Sequence, residues 1–168
     1  MYFRNHSNTS LLKPILYFLF KHLFRYYNWI YFRSILVYGE VFDMSRSNIV
    51  LWAKSALEKG DPLTIVDDQY RSPTFADDLA KGCLLIASKT ANGVYHLSGK
   101  DQMSILELVN RVAAFYKLDS SIVSPIKSLS LNQAAKRPPK TGFILDKAIK
   151  ELGYNPVSFE EGLSMLTK

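Results

Sequence analysis

Val66-Asp-Asp-Gln-Tyr-Arg-Ser-Pro-Thr-Phe-Ala-Asp-Asp-Leu-Ala80 runs from the end of one apolar stretch, through a polar turn, into the start of another. Before it, Leu63 to Val66 is short, apolar and β-branched, as a buried strand is. Asp67 to Pro73 is predicted as polar loop. From Ala76 to Ser88 the pattern is helical, with Asp77 and Asp78 in the first turn, where the macrodipole favours acids. Strand, loop and helix within 26 residues form the repeating piece of an α/β fold.

The same alternation continues on both sides. Upstream, Ser34 to Tyr38 is an apolar run closed by Gly39, expected as a strand buried on both faces. Ser47 to Lys59 is predicted helical, with Ile49, Ala53, Ala56 and Leu57 along one stripe and Gly60 as its stop. Downstream, Gly93 to Leu97 is a further strand. Ser104-Ile-Leu-Glu107 has the form of a capping box before the apolar positions Ile105, Leu108, Val109, Val112 and Phe115, and Ser158-Phe-Glu-Glu161 repeats the device before a short terminal helix. Leu145 to Leu152 is expected to be helical and to end at Gly153.

Composition divides the 168-residue chain near Arg33. Hydrophobic residues at 48% and charged residues at 21% are those of a folded protein. The formal charge is +6, yet the excess is local. Residues 1–33 carry five basic and no acidic residues, and residues 34–168 carry 16 basic against 15 acidic. The larger part therefore has no electrostatic footprint for nucleic acid. Residues 1–33 also hold 11 of the 22 aromatic residues. They are treated as an atypical basic, aromatic segment, a remnant or altered helix, and residues 34–168 as the body. Lys21, His22 and Arg25 interrupt the run Ile15 to Phe32, which argues against a spanning helix, and no small-residue cleavage site follows it. An interfacial amphipathic helix, which would make the chain a membrane-surface adaptor, stays open beside an apolar segment whose packing partners lie elsewhere.

Familiar catalytic motifs are missing from the sequence. The eight glycines never form GxGxxG or a P-loop. His6, His22 and His96 are far apart, Cys83 is alone, and no metal site is expected. GxSxG is absent. A single cysteine also excludes an internal disulfide, and the cytoplasm is the default location. Asp67-Asp68 and Asp77-Asp78 are expected to be solvated rather than paired for acid–base work.

Four stretches in order carry a family resemblance: Arg33-Ser-Ile-Leu-Val-Tyr-Gly39, the Val66 to Ala80 block, Gly93-Val-Tyr-His-Leu-Ser-Gly99 and Ala135-Lys-Arg-Pro138. Together they resemble the C-terminal portion of an extended short-chain dehydrogenase/reductase, of the dTDP-4-dehydrorhamnose reductase-like group. The resemblance implies a partial NAD(P)-binding Rossmann-like sheet with a C-terminal substrate-binding lobe. It also implies NADP or NAD as cofactor and a nucleotide-sugar as substrate. The glycine-rich N-terminal half of that pattern has no counterpart here. The expectation is therefore a truncated, inactive oxidoreductase fragment that self-associates through an exposed sheet edge. A non-catalytic module resembling the methionine adenosyltransferase β subunit, or an epimerase or dehydratase fragment, are the alternatives.

The family's Tyr-x-x-x-Lys proton-transfer pair has a literal match at Tyr17 and Lys21. Phe18, Leu19 and Phe20 replace the usual small residues between them, so a functional pair and a coincidental one both stand. By the same resemblance Tyr38 is a pocket wall, Gln69 a sugar or loop ligand, Arg71 a bidentate holder of the substrate phosphate and Arg137 a cation closing over the nucleotide. Each also has a plain alternative: core for Tyr38, loop support for Gln69, solvated loop cations for the two arginines. His96 is read as a structural histidine.

Overall fold

The computed structural model describes residues 30–41, 48–131 and 137–166. In chain order the strands are β1 Ile30–Arg33, β2 Val37–Tyr38, β3 Leu63–Val66, β4 Tyr70–Arg71, β5 Thr74–Phe75, β6 Gly93–His96, β7 Met103–Ser104 and β8 Val123–Ile126. The helices are α1 Ile49–Lys59, α2 Ala76–Ser88, α3 Ile105–Tyr116 and α4 Phe159–Met165. Three strand pairs are parallel: β1 with β6, β2 with β5, and β3 with β8. Only β4 and β7 run antiparallel among the described strands.

The helices begin and end where local chemistry directs. Asn48 Oδ1 accepts from the amides of Val50 and Leu51, both at 3.1 Å, while its Nδ2 donates to the Gly39 carbonyl at 2.8 Å and ties α1 to the end of β2. Gly60 closes α1 in the left-handed region at φ 75°. Ser158 and Glu161 form the full capping box of α4. Ser104 caps α3 through the Glu107 amide, but the Glu107 carboxylate turns to Arg111 at 2.7 Å and leaves that box half-made. The expected helix before Gly153 is wound as a π turn over Ala148–Leu152.

The predicted strand from Ser34 to Tyr38 is broken. Leu36 takes a positive φ of 46°, because the chain changes partners there. Arg33 is still bonded to β6, its carbonyl accepting from the Leu97 amide at 2.9 Å. The Ile35 carbonyl instead accepts from the Thr74 hydroxyl at 2.6 Å and the Leu36 carbonyl from the Thr74 amide at 3.1 Å. Pairing in register with β6 also crosses the compositional boundary at Arg33, since Ile30–Arg33 lies on its N-terminal side. All four residues of β1 are exposed, so this strand is not covered on its faces.

Two apolar clusters hold the fold. Leu63 and Ile65 of β3 lie under α1 and α3 with Val50, Ala53, Leu108, Val109 and Val112, and Tyr38, Phe75, Phe159 and Leu163 extend this core to α4. A second cluster joins Ile86, Tyr95, Leu97, Leu145, Leu152 and Tyr154. Burial, reinforced by the Asp78 carboxylate, pushes the Tyr38 and Tyr154 phenols well above the ordinary value. A phenol raised in the folded state contributes stability that is complete below its unfolded value of about 10 and is lost as pH rises past it, because the unfolded chain releases those protons first. The urea midpoint is thus expected to fall between about pH 9 and about pH 11. Tyr154→Phe should flatten that decline, and a midpoint equally steep in the variant would refute the assignment.

Candidate functional site

The site is built around β4. Tyr70 and Arg71 pair antiparallel with Ser104 and Met103 on one side. On the other, the Tyr70 amide donates to the Pro139 carbonyl at 2.7 Å and the Tyr70 carbonyl accepts from the Thr141 amide at 3.1 Å. Two residues of the region predicted as polar loop, Tyr70 and Arg71, therefore form a short strand with neighbours on both sides. Proline lacks an N–H and favours extended backbone, so the Pro138-Pro139 dipeptide presents carbonyls without competing donors of its own.

Arg71 uses those carbonyls. Its Nη1 donates to the Tyr70 carbonyl at 2.6 Å and the Pro139 carbonyl at 3.4 Å, and its Nη2 to the Pro138 carbonyl and Gln69 Oε1, both at 3.1 Å. Gln69 is 4% exposed, and its backbone carbonyl accepts from the Ile105 amide at 3.0 Å. Partial burial and then the charge of Arg137 lower the Arg71 guanidinium from its ordinary value. Arg137, next to Pro138, is exposed. Neither arginine makes an ion pair with a carboxylate among the described residues.

Of the residues singled out from the sequence, Gln69 and Arg71 are bonded to each other, and Arg137 immediately precedes the Pro138-Pro139 segment that Arg71 holds. Tyr38 does not join them. It is 2% exposed, its ring lies 5.6 Å from that of Phe75 and 5.3 Å from that of Phe159, and its hydroxyl points at the Phe159 carbonyl. Tyr17 and Lys21 lie outside the described residues. His96 stacks on Phe143 with 4.4 Å between ring centroids, a packing role. The carbonyls of Pro138 and Pro139 were not singled out from the sequence, although the Arg-Pro-Pro run was the signal for them.

The acidic pairs divide. Asp67 meets Lys127 at 2.9 Å, and Asp68 accepts from the Ser128 amide and hydroxyl, fastening the end of β3 to the end of β8. Asp77 is exposed as expected. Asp78 is not solvated: it is 2% exposed and accepts from the Val157 amide at 2.8 Å. No group of three or more His, Cys, Asp or Glu among the described residues is arranged for a metal, and no helix among them is long and apolar enough to cross a membrane.

The parallel strand pairs with packed helices define part of a Rossmann-like α/β protein. The chain belongs to the RmlD substrate binding domain family, whose model matches residues 26–168; the resemblance drawn from the four motifs holds. It is 28% identical over 111 residues to methionine adenosyltransferase 2 subunit beta of Danio rerio, covering 63% of this chain and 34% of that protein. It is 27% identical over 133 residues to the spore coat polysaccharide biosynthesis protein SpsK of Bacillus subtilis, covering 78% and 44%. The fold is shared with a crystal structure of dTDP-4-dehydrorhamnose reductase from Bacillus anthracis in complex with NADP, at TM-score 0.72 and 23% identity, over 82% of this chain and 47% of that one. The chain spans less than half the length of each.

A dinucleotide of the NAD(P) type needs free amides, usually at a helix N-terminus, for its pyrophosphate. The described helices do not offer them. In α1 the amides of Val50 and Leu51 donate to Asn48, in α3 those of Ile105 and Glu107 to Gln69 and Ser104, in α4 those of Phe159 and Glu161 to Asp101 and Ser158, and α2 opens on Asp77 and Asp78, which repel phosphate. These residues do not fit the cofactor.

Proposed function

We propose that this chain recognises a nucleotide-linked sugar through its diphosphate, as the substrate-binding part of an NAD(P)-dependent oxidoreductase of the dTDP-4-dehydrorhamnose reductase-like type. One observation carries the reading: Arg71 is bonded to the carbonyls of Pro138 and Pro139, which directly follow the exposed Arg137, and neither arginine has a carboxylate partner among the described residues. A diphosphate bound at Arg137 supplies the negative charge that offsets the two guanidinium charges. Family membership and the shared fold support the substrate class.

On its own the chain binds the sugar nucleotide without transferring hydride. The occupied and acidic helix N-termini favour this non-catalytic behaviour, and the likeness to a methionine adenosyltransferase β subunit is consistent with it. Titration calorimetry of the purified chain with dTDP-glucose, NADPH and NADH tests both parts. The expected result is binding of dTDP-glucose that weakens as salt rises, and no heat from either dinucleotide. Arg137→Ala should weaken dTDP-glucose by about tenfold. Dinucleotide binding would overturn the non-catalytic part and return Tyr17 and Lys21 to consideration as the catalytic pair. Absence of dTDP-glucose binding would overturn the recognition itself.

A further inference from the structure

We infer that Arg71 is a positioning residue, which acts on the bound diphosphate through Arg137 rather than by touching it; this rests on the recognition proposed above. A guanidinium grips a phosphate through two parallel N–H groups on one edge. In Arg71 both Nη atoms already donate twice, to the carbonyls of Tyr70, Pro138 and Pro139 and to Gln69 Oε1. The two-pronged Nη edge is thereby committed to the protein.

What those bonds accomplish is local. Arg71 holds Pro138 and Pro139 against β4, beside the ladder made by the Tyr70 and Thr141 amides. Gln69, itself buried, orients the guanidinium from the opposite end of β4. Arg137 is the residue immediately before the clamped dipeptide, so the clamp sets where its exposed charge stands. A lysine at position 71 would keep the charge but not the fork, and one ammonium cannot reach four acceptors spread over three backbone positions and a side chain.

Binding of dTDP to the full chain, measured by calorimetry for wild type, Arg71→Lys, Arg137→Ala and the double variant, tests this as a double-mutant cycle. Arg71→Lys is expected to weaken dTDP about fivefold in the wild-type background and less than twofold once Arg137 is alanine. Gln69→Met, which removes the orienting acceptor at similar volume, should show the same dependence on Arg137, and it serves if the lysine variant melts early. Costs that multiply in the double variant would overturn the positioning role and place Arg71 on the ligand. An Arg71→Lys chain that binds as wild type would overturn it as well. If wild type fails to bind dTDP, the recognition proposal falls first and this inference with it, an outcome distinct from the other two.

Discussion

Gly99→Ala is expected to cost about 3 kcal/mol or more and to lower the melting temperature by roughly 6–12 °C. Gly99 is buried just beyond β6, and a Cβ built there would overlap the Pro73 carbonyl oxygen. That oxygen cannot swing aside as a flexible side chain can. Pro73 is buried, and the next residue, Thr74, is bonded through its amide and hydroxyl to the Leu36 and Ile35 carbonyls. The strain must spread into β5 or into β4, two residues upstream of Pro73, where Arg71 sits. Gly60→Ala is the informative comparison: Gly60 has a φ of 75° but nothing near its Cβ position, so only the left-handed backbone is penalised, by about 1 kcal/mol. Thermal melts of the two variants check the order. Equal shifts would show that the contact with Pro73 yields.

Asp78→Ala is expected to cost about 3 kcal/mol, and Asp77→Ala about 0.5 kcal/mol. The two carboxylates are neighbours in sequence and share the first turn of α2. Asp77 is exposed, and its removal forfeits only its interaction with the helix dipole. Asp78 accepts from the Val157 amide at 2.8 Å and faces Lys81 at 3.4 Å. Its loss leaves a partly buried N–H without its acceptor and frees the segment that leads into α4, whose Phe159 packs on Tyr38. Urea unfolding of both single variants checks the contrast, and similar midpoints would refute the anchoring role.

The contrast within Asp77-Asp78 shows where sequence reading stops. Acids in a first helical turn are favoured by the dipole whether or not they are solvated, so both satisfied the same local rule. Which one turns inward depends on Val157, 79 residues away. The same holds at β4: nothing between Asp67 and Pro73 has the period of a strand, and its pairing depends on Met103-Ser104 and on Pro139. At the site, two of the six residues singled out from the sequence, Gln69 and Arg71, are bonded to each other, and Arg71 also holds the Pro138-Pro139 segment beside Arg137. Tyr38 looked equally suited at the end of its strand, but Phe75, Phe159 and Gly162 enclose it.

The sequence by itself determined the alternation of strands and helices, the stops at Gly60 and Gly153, the Ser104 and Ser158 caps and the family. These rest on periodicity, on short motifs and on bonds that span six residues or fewer. Tertiary structure alone decided the break at Leu36, the burial of Asp78, the inward turn of Tyr38 and the engagement of Arg71 by the Pro138-Pro139 carbonyls. In each of these the partner lies tens of residues away, and a side chain's role is set by which distant donor, acceptor or apolar face the fold brings to it.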